Sequence, residues 1–222
     1  MWTYEGIKIH WLGHDSFVLQ GSKTVILDPF KAKGNYKADL LLISHEHYDH
    51  LSDEDIKRFS TPATTLVAAK MCEEPLKKYH NEKKFIAPGS KIEVKGVVIE
   101  AVPAYNINKF REPGKVFHPK ADEKNGYVVT LDGVRFYHAG DSDATPEMKA
   151  LDVDVAFLPV SGIYVMTPEE AAEAAKAMKA KVVIPMHIES GIGTLADAEK
   201  FKMIGSRLCA GQNKEIRILE KE

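Results

Sequence analysis

Hydrophobic positions near the start of the chain fall into short runs separated by turn residues. Runs at residues 7–12, 16–20 and 24–27 have strand length, and Gly21-Ser22 between the last two is typical of a tight turn. The third run is followed directly by Asp28-Pro29. The pattern predicts three consecutive strands with an aspartate at the end of the third.

A similar arrangement recurs in the second half of the chain. Runs at residues 126–131 and 134–137 flank Asp132-Gly133, and Gly140-Asp141 follows the second run. Both arrangements thus consist of a strand, a tight turn, a second strand and a terminal aspartate. The recurrence fits two related halves, although a repeat this short also fits coincidence.

Three further stretches begin on a charged residue, continue as an apolar strand and close on polar or histidine residues. They lie at residues 39–50, 152–162 and 181–189. Ligands of open α/β sheets gather beyond the strand ends, so we expect these polar ends to lie close together.

Helix-capping residues between the predicted strands indicate helices. Ser52 with the acids that follow it predicts a helix over residues 53–59, and Thr167-Pro168 with Glu170 predicts a capped helix that includes residues 171–180. A third helix is predicted over residues 194–204, a final strand over 215–219, and an irregular candidate active-site loop over 106–125.

The composition is that of an ordinary soluble protein. The chain has 222 residues and 44% hydrophobic residues, which we interpret as one domain over residues 1–222. A formal net charge of -2 does not favour a nucleic-acid partner. Cys72 and Cys209 show no paired spacing and are expected to be core residues. No signal peptide or membrane span is recognisable, so we expect a cytoplasmic protein with no membrane partner.

The segment Ser44-His45-Glu46-His47-Tyr48-Asp49-His50 follows an apolar run and combines three imidazoles with a carboxylate. Zinc-type ions prefer such ligands. The spacing does not suit one face of a helix, and in a strand His50 would point away from the other three, so a loop is favoured. The segment predicts a site for one metal ion or for two adjacent ions, with a solvated histidine-rich loop as the alternative.

Other candidate ligands stand at the ends of predicted strands. Gly140 permits a sharp exit that would let the Asp141 carboxylate project past its strand, where it could bridge two ions. His187 follows an apolar run and is favoured as a ligand. Asp28 is either a ligand or an acceptor for the N–H of a ligand imidazole.

Three more histidines could either act in the site or have a structural role. His14 could orient a ligand, touch substrate or be structural. His118 lies in the irregular loop, where it could contact substrate or donate a proton, or play no part in the site. His138 is favoured as a residue that supports a ligand over a ligand itself.

These motifs resemble the metallo-β-lactamase superfamily over about residues 7–190. The segments Trp11-Leu12-Gly13-His14-Asp15-Ser16-Phe17, Leu27-Asp28-Pro29-Phe30 and Tyr137-His138-Ala139-Gly140-Asp141 look like the branch of small metal-dependent hydrolases that contains L-ascorbate-6-phosphate lactonase. That branch is more distantly similar to N-acyl-phosphatidylethanolamine phospholipase D.

The resemblance implies an α/β (α+β) fold, a four-layer αββα sandwich with the metals at one edge. It implies one or two divalent ions, Zn²⁺ first and Mn²⁺ as the alternative. Carried over by position, the first metal takes His45 and His47, and the second takes Asp49, His50 and His187, with Asp141 as the bridge.

The chain departs from the family pattern at one position. The superfamily usually supplies a further histidine to the first metal from a mid-chain loop, and the matching stretch here contains Tyr105 and Asn106. An amide is a weak zinc ligand. The departure predicts a first site that is loose, manganese-preferring or partly empty, with Tyr105 and Asn106 as candidate substrate or supporting residues.

The expected activity is hydrolysis by a metal-bound hydroxide, with Asp49 as a further proton carrier and a small-molecule lactone or phosphate ester as substrate. Two alternatives are a redox-active metal protein of the same fold and a non-catalytic binding module with a degenerate site. The sequence leaves open whether the protein forms a homo-oligomer.

Four basic residues of the irregular loop could receive a phosphate or could only solubilise the loop: Lys109, Arg111, Lys115 and Lys120.

Overall fold

The computed structural model describes residues 1–222 and contains two seven-stranded sheets. In the first sheet the strands follow one another in chain order, antiparallel from β1 to β4 and parallel from β4 to β7. Its strands are β1 (Trp2–Tyr4), β2 (Ile7–Gly13), β3 (Ser16–Gln20), β4 (Thr24–Leu27), β5 (Leu40–Ile43), β6 (Thr65–Ala69) and β7 (Glu82–Ile86).

The second sheet has the order β16-β15-β14-β13-β12-β9-β8, and a small hairpin, β10 with β11, lies outside both sheets. Strands β13 to β16 run parallel, whereas β8, β9, β12 and β13 pair antiparallel. The strands are β8 (Lys91–Val94), β9 (Val97–Pro103), β10 (Phe110–Glu112), β11 (Lys115–Val116), β12 (Asn125–Leu131), β13 (Val134–His138), β14 (Asp152–Pro159), β15 (Lys179–Met186) and β16 (Glu215–Ile216).

Side chains that alternate along the buried strands contribute to two apolar layers, one between the sheets and one on the outer face. In β5, Leu40 and Leu42 join the large apolar cluster shared by the two sheets, whereas Leu41 and Ile43 join a second cluster on the outer face. Successive strand residues point to opposite faces, so a wholly apolar strand must be covered on both sides.

Helices supply the outer layers. The helices are α1 (Asp53–Phe59), α2 (Glu73–Leu76), α3 (Pro146–Lys149), α4 (Pro168–Ala177) and α5 (Leu195–Leu208). Ile56 and Phe59 of α1 bury against the outer face of the first sheet, while α4 and α5 pack together and contact β15. The αββα sandwich is therefore confirmed.

Several element boundaries differ from the sequence prediction. The fourth helix is not continued to residue 180: the N–H of Met178 bonds to Ala174, and Lys179 and Ala180 already pair with Asp152 and Val153 of β14. The prediction also missed β1, which has only three residues, and it missed β6, β7, β8 and β9, where charged or small residues interrupt the hydrophobic pattern. The irregular loop holds the β10–β11 hairpin.

Two smaller expectations can also be compared with the fold. Cys72 and Cys209 are free and buried, as expected for core residues. None of the helices combines the length and the apolar character needed to cross a membrane.

Candidate metal centre

The candidate site lies where parallel strands of both sheets end. The metal-loop segment, residues 44–50, follows β5, Asp141 follows β13 within three residues, and His187 follows β15. Neighbouring parallel strands end at the same sheet edge, so the topology brings these residues together. The predicted convergence of polar strand ends is thus found in the structure.

The carboxylate of Asp141 stands between two groups of histidines. Its Oδ2 lies 3.8 Å from His45 Nε2 and 3.6 Å from His118 Nε2. Its Oδ1 lies 3.2 Å from His50 Nε2 and 3.4 Å from His187 Nε2. Each oxygen therefore faces its own pair of imidazoles.

Three sets of potential ligand atoms lie within 4.8 Å of one another. We name them the first set (His45, His47, His118 and Asp141), the second set (Asp15, His50, Asp141 and His187) and the third set (His14, Asp49, His50 and His187). Two ligands held at about 2.1 Å by one tetrahedral ion lie about 3.4 Å apart. The spacings around Asp141 match that value.

Unpaired buried atoms show that these residues fit metal ions. His45 Nε2, His50 Nε2 and Asp141 Oδ1 are buried and have no hydrogen-bond partner, and neither oxygen of Asp15 has one. Burying polar atoms without partners is costly, and native structures seldom do it. Divalent cations between the groups would satisfy these atoms.

The far nitrogens of the same histidines are held by hydrogen bonds. Ser44 Oγ lies 2.9 Å from His45 Nδ1, Asp28 Oδ2 lies 2.8 Å from His50 Nδ1, and Ser161 Oγ lies 2.8 Å from His187 Nδ1. Partners at Nδ1 direct Nε2 towards the centre, which is the usual support of a metal-ligating histidine.

Burial and charge set the protonation of the centre. Burial lowers the pKa of His45 well below its ordinary value, and it lowers the pKa of His118 to about 4. Burial also opposes the charge of His50, but Asp141 and Asp28 raise the pKa of that imidazole well above the ordinary value. The two buried imidazoles that face Asp141 Oδ2 are neutral at neutral pH, the form that binds metals.

Several residues around the centre have left-handed backbone conformations. His14, Asp28 and His187 have φ values of 50°, 39° and 61°. Gly140 has φ 58°, and a Cβ there would lie 2.7 Å from the carbonyl oxygen of Asn125. Such strain persists where the surroundings impose it, and it often marks functional sites.

The structure corrects the expectation for the mid-chain histidine. His118, not Asn106, stands with His45 and His47, although the two residues are twelve positions apart. The Asn106 amide donates to Asp143 Oδ1 and to the carbonyl of Tyr164, and its oxygen accepts the N–H of His118. Asn106 therefore positions the backbone of His118, and the prediction that an amide replaces the histidine is wrong.

The role of proton donor considered for His118 does not fit its surroundings. Its Nε2 lies 3.6 Å from Asp141 Oδ2, and burial lowers the pKa of His118 to about 4. The ring is therefore neutral at neutral pH, which is the form that binds metals and not the imidazolium that would act as a proton donor. The geometry places it among the candidate ligands.

Three other predicted residues lie outside the ligand sets. Asp28 accepts hydrogen bonds from Ser44 and His50, so its supporting role is favoured over direct ligation. His138 Nε2 bonds to the carbonyl of Asp15, and its Nδ1 accepts the N–H of Gly140, which fits the support predicted for it. The Tyr105 hydroxyl donates to Glu147 and does not join any set.

Asp49 and His14 form the edge of the centre. Asp49 Oδ2 lies 3.3 Å from His14 Nε2, and both belong to the third set with His50 and His187. Burial disfavours the charge of Asp49, but the hydrogen bond from His14 and the charge of His50 hold its pKa at about 2. The sequence expectation placed Asp49 with His50, His187 and the bridging Asp141. The structure keeps Asp49 with His50 and His187, and His14 stands in that set in place of Asp141.

Two residues of the centre were not anticipated. Asp15 is fully buried in the second set and lies in the turn between β2 and β3. It belongs to a segment that resembles the family, but no feature of the sequence assigned it a role of its own. Lys124 is buried, with Nζ 3.3 Å from His47 Nε2 and 3.2 Å from Glu46. A basic residue next to the start of β12 was the only signal for it.

Three of the basic loop residues considered for phosphate are engaged elsewhere. Lys109 pairs with Glu170, Lys115 with Glu112 and Lys120 with Glu147, at 2.6, 2.8 and 2.7 Å. These ion pairs favour the solubilising and structural interpretation of the loop.

Comparison with known proteins agrees with this geometry. Residues 8–187 match the family model described as a β-lactamase superfamily domain. UPF0173 metal-dependent hydrolases from Thermococcus onnurineus and Thermoplasma acidophilum are 34% and 36% identical to this chain. The matches cover 96% of both proteins in the first case, and 90% of this chain and 91% of the relative in the second.

A solved structure resembles the fold over most of its length. The crystal structure of a candidate metal-dependent hydrolase from Parabacteroides distasonis superimposes with a TM-score of 0.81 at 32% identity. The superposition covers 97% of this chain and 94% of that one. The chain therefore belongs to the metallo-β-lactamase superfamily and, within it, to the UPF0173 family of metal-dependent hydrolases.

Proposed function

We propose that this protein hydrolyses a small-molecule lactone or phosphate ester with the help of two divalent metal ions. One observation carries the proposal: the two oxygens of Asp141 face separate pairs of imidazoles, at 3.6 and 3.8 Å on one side and 3.2 and 3.4 Å on the other. A carboxylate shared by two ligand groups would hold two ions close together, as two-metal hydrolysis requires.

The residues divide between the two ions. The first set would hold one ion through three imidazoles and Asp141, a donor set suited to zinc. His50 and His187 would hold the other ion from the opposite side of Asp141, with Asp49 as a further candidate ligand from the third set. Bound divalent ions lower the pKa of coordinated water and polarise the bond under attack.

Asp49 is the candidate proton carrier. Its pKa of about 2 keeps the carboxylate ionised at neutral pH, and its Oδ2 lies 3.3 Å from His14 Nε2. An ionised carboxylate at the edge of the centre can accept a proton from the attacking water and pass it to the leaving group. His14 fixes the direction of that carboxylate.

The surroundings of the centre support a substrate with an anionic group. The ammonium of Lys124 lies 3.3 Å from Nε2 of His47, whose side chain is 41% exposed. An incoming phosphate or carboxylate could take the place of Glu46 beside this ammonium. Lys124 therefore takes over the role that was considered for the basic residues of the irregular loop.

Exposed apolar side chains support a further, apolar part of the substrate. Tyr48 is exposed in the metal-loop segment, and Ile107 and Phe110 are exposed in the loop that carries His118. Ile163 is exposed two residues after Ser161, which bonds to His187. Apolar residues at the rim with a few polar groups at the centre are typical of small-molecule sites.

The structure removes the reason for considering a non-catalytic binding module with a degenerate site. It rested on a missing histidine, and His118 supplies an imidazole at that place. The redox alternative would be supported by bound iron with a visible absorption band.

A panel of lactones, phosphomonoesters and phosphodiesters tests the proposal. The protein is first stripped with chelator and then reloaded with Zn²⁺ or Mn²⁺. We expect turnover of at least one substrate class only after reloading, and loss of at least about 10³-fold in Asp141→Ala and His187→Ala. His80→Ala, an exposed histidine outside the three sets, is the control and keeps activity.

Two results would contradict the proposal. The first is turnover that survives both substitutions in folded protein. The second is a reloaded protein that binds iron selectively, consumes oxygen and hydrolyses nothing in the panel.

A further inference from the structure

Asp15 is the buried charge whose role the proposed hydrolysis does not explain. Its side chain is 0% exposed, and neither carboxylate oxygen has a hydrogen-bond partner. A carboxylate in this situation is strongly destabilised unless a cation is beside it. Its surroundings therefore identify what the residue binds.

The carboxylate points into the second set. Asp15 Oδ2 lies 3.6 Å from His50 Nε2, which itself lies 3.2 Å from Asp141 Oδ1. His50 Nε2 and Asp141 Oδ1 are also buried without hydrogen-bond partners. Atoms of three residues thus face one another at 3.2 and 3.6 Å, and these spacings suit ligands of one ion.

The backbone of Asp15 is tied to the same centre. Its carbonyl accepts a hydrogen bond from His138 Nε2 at 2.8 Å, and His138 Nδ1 accepts the N–H of Gly140, the residue before Asp141. One imidazole therefore fixes Asp15 relative to Asp141. This arrangement holds the two carboxylates in a constant relation.

We propose that Asp15 is a direct ligand of the second metal ion, together with His50, Asp141 and His187. The proposal rests on the metal centre of the proposed function and goes further by assigning a ligand that lies outside the metal-loop segment. It makes the two ions chemically different. The first set contains three imidazoles and one carboxylate, whereas the second contains two imidazoles and two carboxylates.

The difference in donors predicts a difference in metal preference. Carboxylate oxygens suit Mn²⁺, whereas imidazole-rich tetrahedral sets suit Zn²⁺. Mn²⁺ is therefore expected to compete for the second position more effectively than for the first.

Mn²⁺ titration followed by electron paramagnetic resonance tests the proposal without any substrate. We compare the whole chain, metal-stripped, with Asp15→Asn, Asp15→Ser and Asp39→Asn. Asp39 is a carboxylate that bonds to Thr24 at the opposite end of β5 from the metal-loop segment, so it is a control. Circular dichroism establishes that each variant is folded.

We expect the wild-type protein and Asp39→Asn to bind two ions. Each Asp15 variant should lose at least about 10-fold in Mn²⁺ affinity at one position only, since even supporting residues contribute 10- to 100-fold. In a Mn²⁺-loaded crystal of the wild-type protein, an Asp15 oxygen should lie about 2.2 Å from an ion.

Unchanged affinity in both Asp15 variants, or an ion farther than about 3 Å from both Asp15 oxygens, would overturn the assignment while leaving the proposed function standing. A wild-type protein that binds no ion at all would overturn both.

Discussion

Asp28 Oδ2 lies 2.8 Å from Nδ1 of His50, so the carboxylate at the end of β4 directs an imidazole in the loop after β5. The other oxygen of Asp28 accepts the N–H of Ser44 at 2.7 Å, which anchors the start of the metal-loop segment. One carboxylate thus controls both the path of the loop and the orientation of a ligand.

Substitution of Asp28 should weaken metal binding more than it weakens the fold. Asp28→Asn keeps the size of the side chain but removes the negative charge that raises the pKa of His50. We expect a 10- to 100-fold loss of affinity for one of two ions, measured by titration of metal-stripped protein. Equal affinity in the variant and the wild-type protein would contradict this role for Asp28.

Gly140 should not tolerate a methyl group. Gly140→Ala combines a left-handed backbone with a contact of 2.7 Å to a carbonyl oxygen, so it should lower the free energy of unfolding by about 2–3 kcal/mol and displace Asp141. The matched control is Gly133→Ala, which has φ 82° but no atom within 4 Å of the new Cβ. It should lose only about 1–2 kcal/mol and keep its metals. Chemical denaturation measures both, and equal losses would refute the steric argument.

Substitution of Asn106 distinguishes two roles for this residue at the first metal position: a weak ligand, or a residue that positions the His118 loop. If the residue were a weak replacement for a ligand, Asn106→His would improve metal binding. Its amide instead bonds to Asp143 and Tyr164 while its oxygen holds the N–H of His118. We therefore expect Asn106→His and Asn106→Ala to reduce zinc affinity by about 10-fold or more, by releasing the His118 loop. Calorimetric titration with Zn²⁺ measures the affinity of each variant. Tighter binding by Asn106→His would indicate that Asn106 is a weak replacement for a ligand.

Glu222, which lies outside the three ligand sets, should make the free energy of unfolding depend on pH in the acid range. Burial disfavours its charge, but hydrogen bonds from Tyr36, the amino terminus and His10 lower its pKa to about 2. Because the folded-state pKa lies below the ordinary value of 4.5, the stabilisation is present above pH 4.5 and is lost as the pH falls towards 2. The carboxylate is partly exposed, which limits the gain to about 0.5–1 kcal/mol.

The measurement compares Glu222→Gln with wild-type protein in chelator by denaturant unfolding at several pH values. The variant should be less stable at pH 7, and the difference should vanish near pH 2. Glu220→Gln, at an exposed position outside the ion pairs of the fold, is the control and should show no such change. A difference between Glu222→Gln and wild type that is constant with pH would contradict the argument.

Local sequence signals were sufficient for much of the fold. The cap residues Ser52 and Thr167 accept hydrogen bonds from Asp55 and Glu170, as their spacing predicted. Strand β5 was recognisable because all four residues are apolar. Strand β7 was not, since its charged lysines and glutamate give little hydrophobic pattern and its place is fixed by pairing with β6.

The candidate site was predictable where its residues follow strands and was not where a loop folds back. The histidines of the metal-loop segment, Asp141 and His187 were all named from sequence, and the structure brings them together. His118 is held at the centre by long-range contacts of its loop, including the hydrogen bond of its N–H to Asn106, which no local pattern encodes. Asp15 and Lys124 depend on the packing of one sheet against the other, so their positions required the tertiary structure.

Anomalous X-ray diffraction from a Zn²⁺-loaded crystal tests the central claim most directly. The account predicts two zinc peaks per chain, each about 2.0–2.2 Å from a different oxygen of Asp141. One peak should adjoin His45 and His118, and the other His50 and His187. A single peak, or two peaks that do not share Asp141, would contradict it.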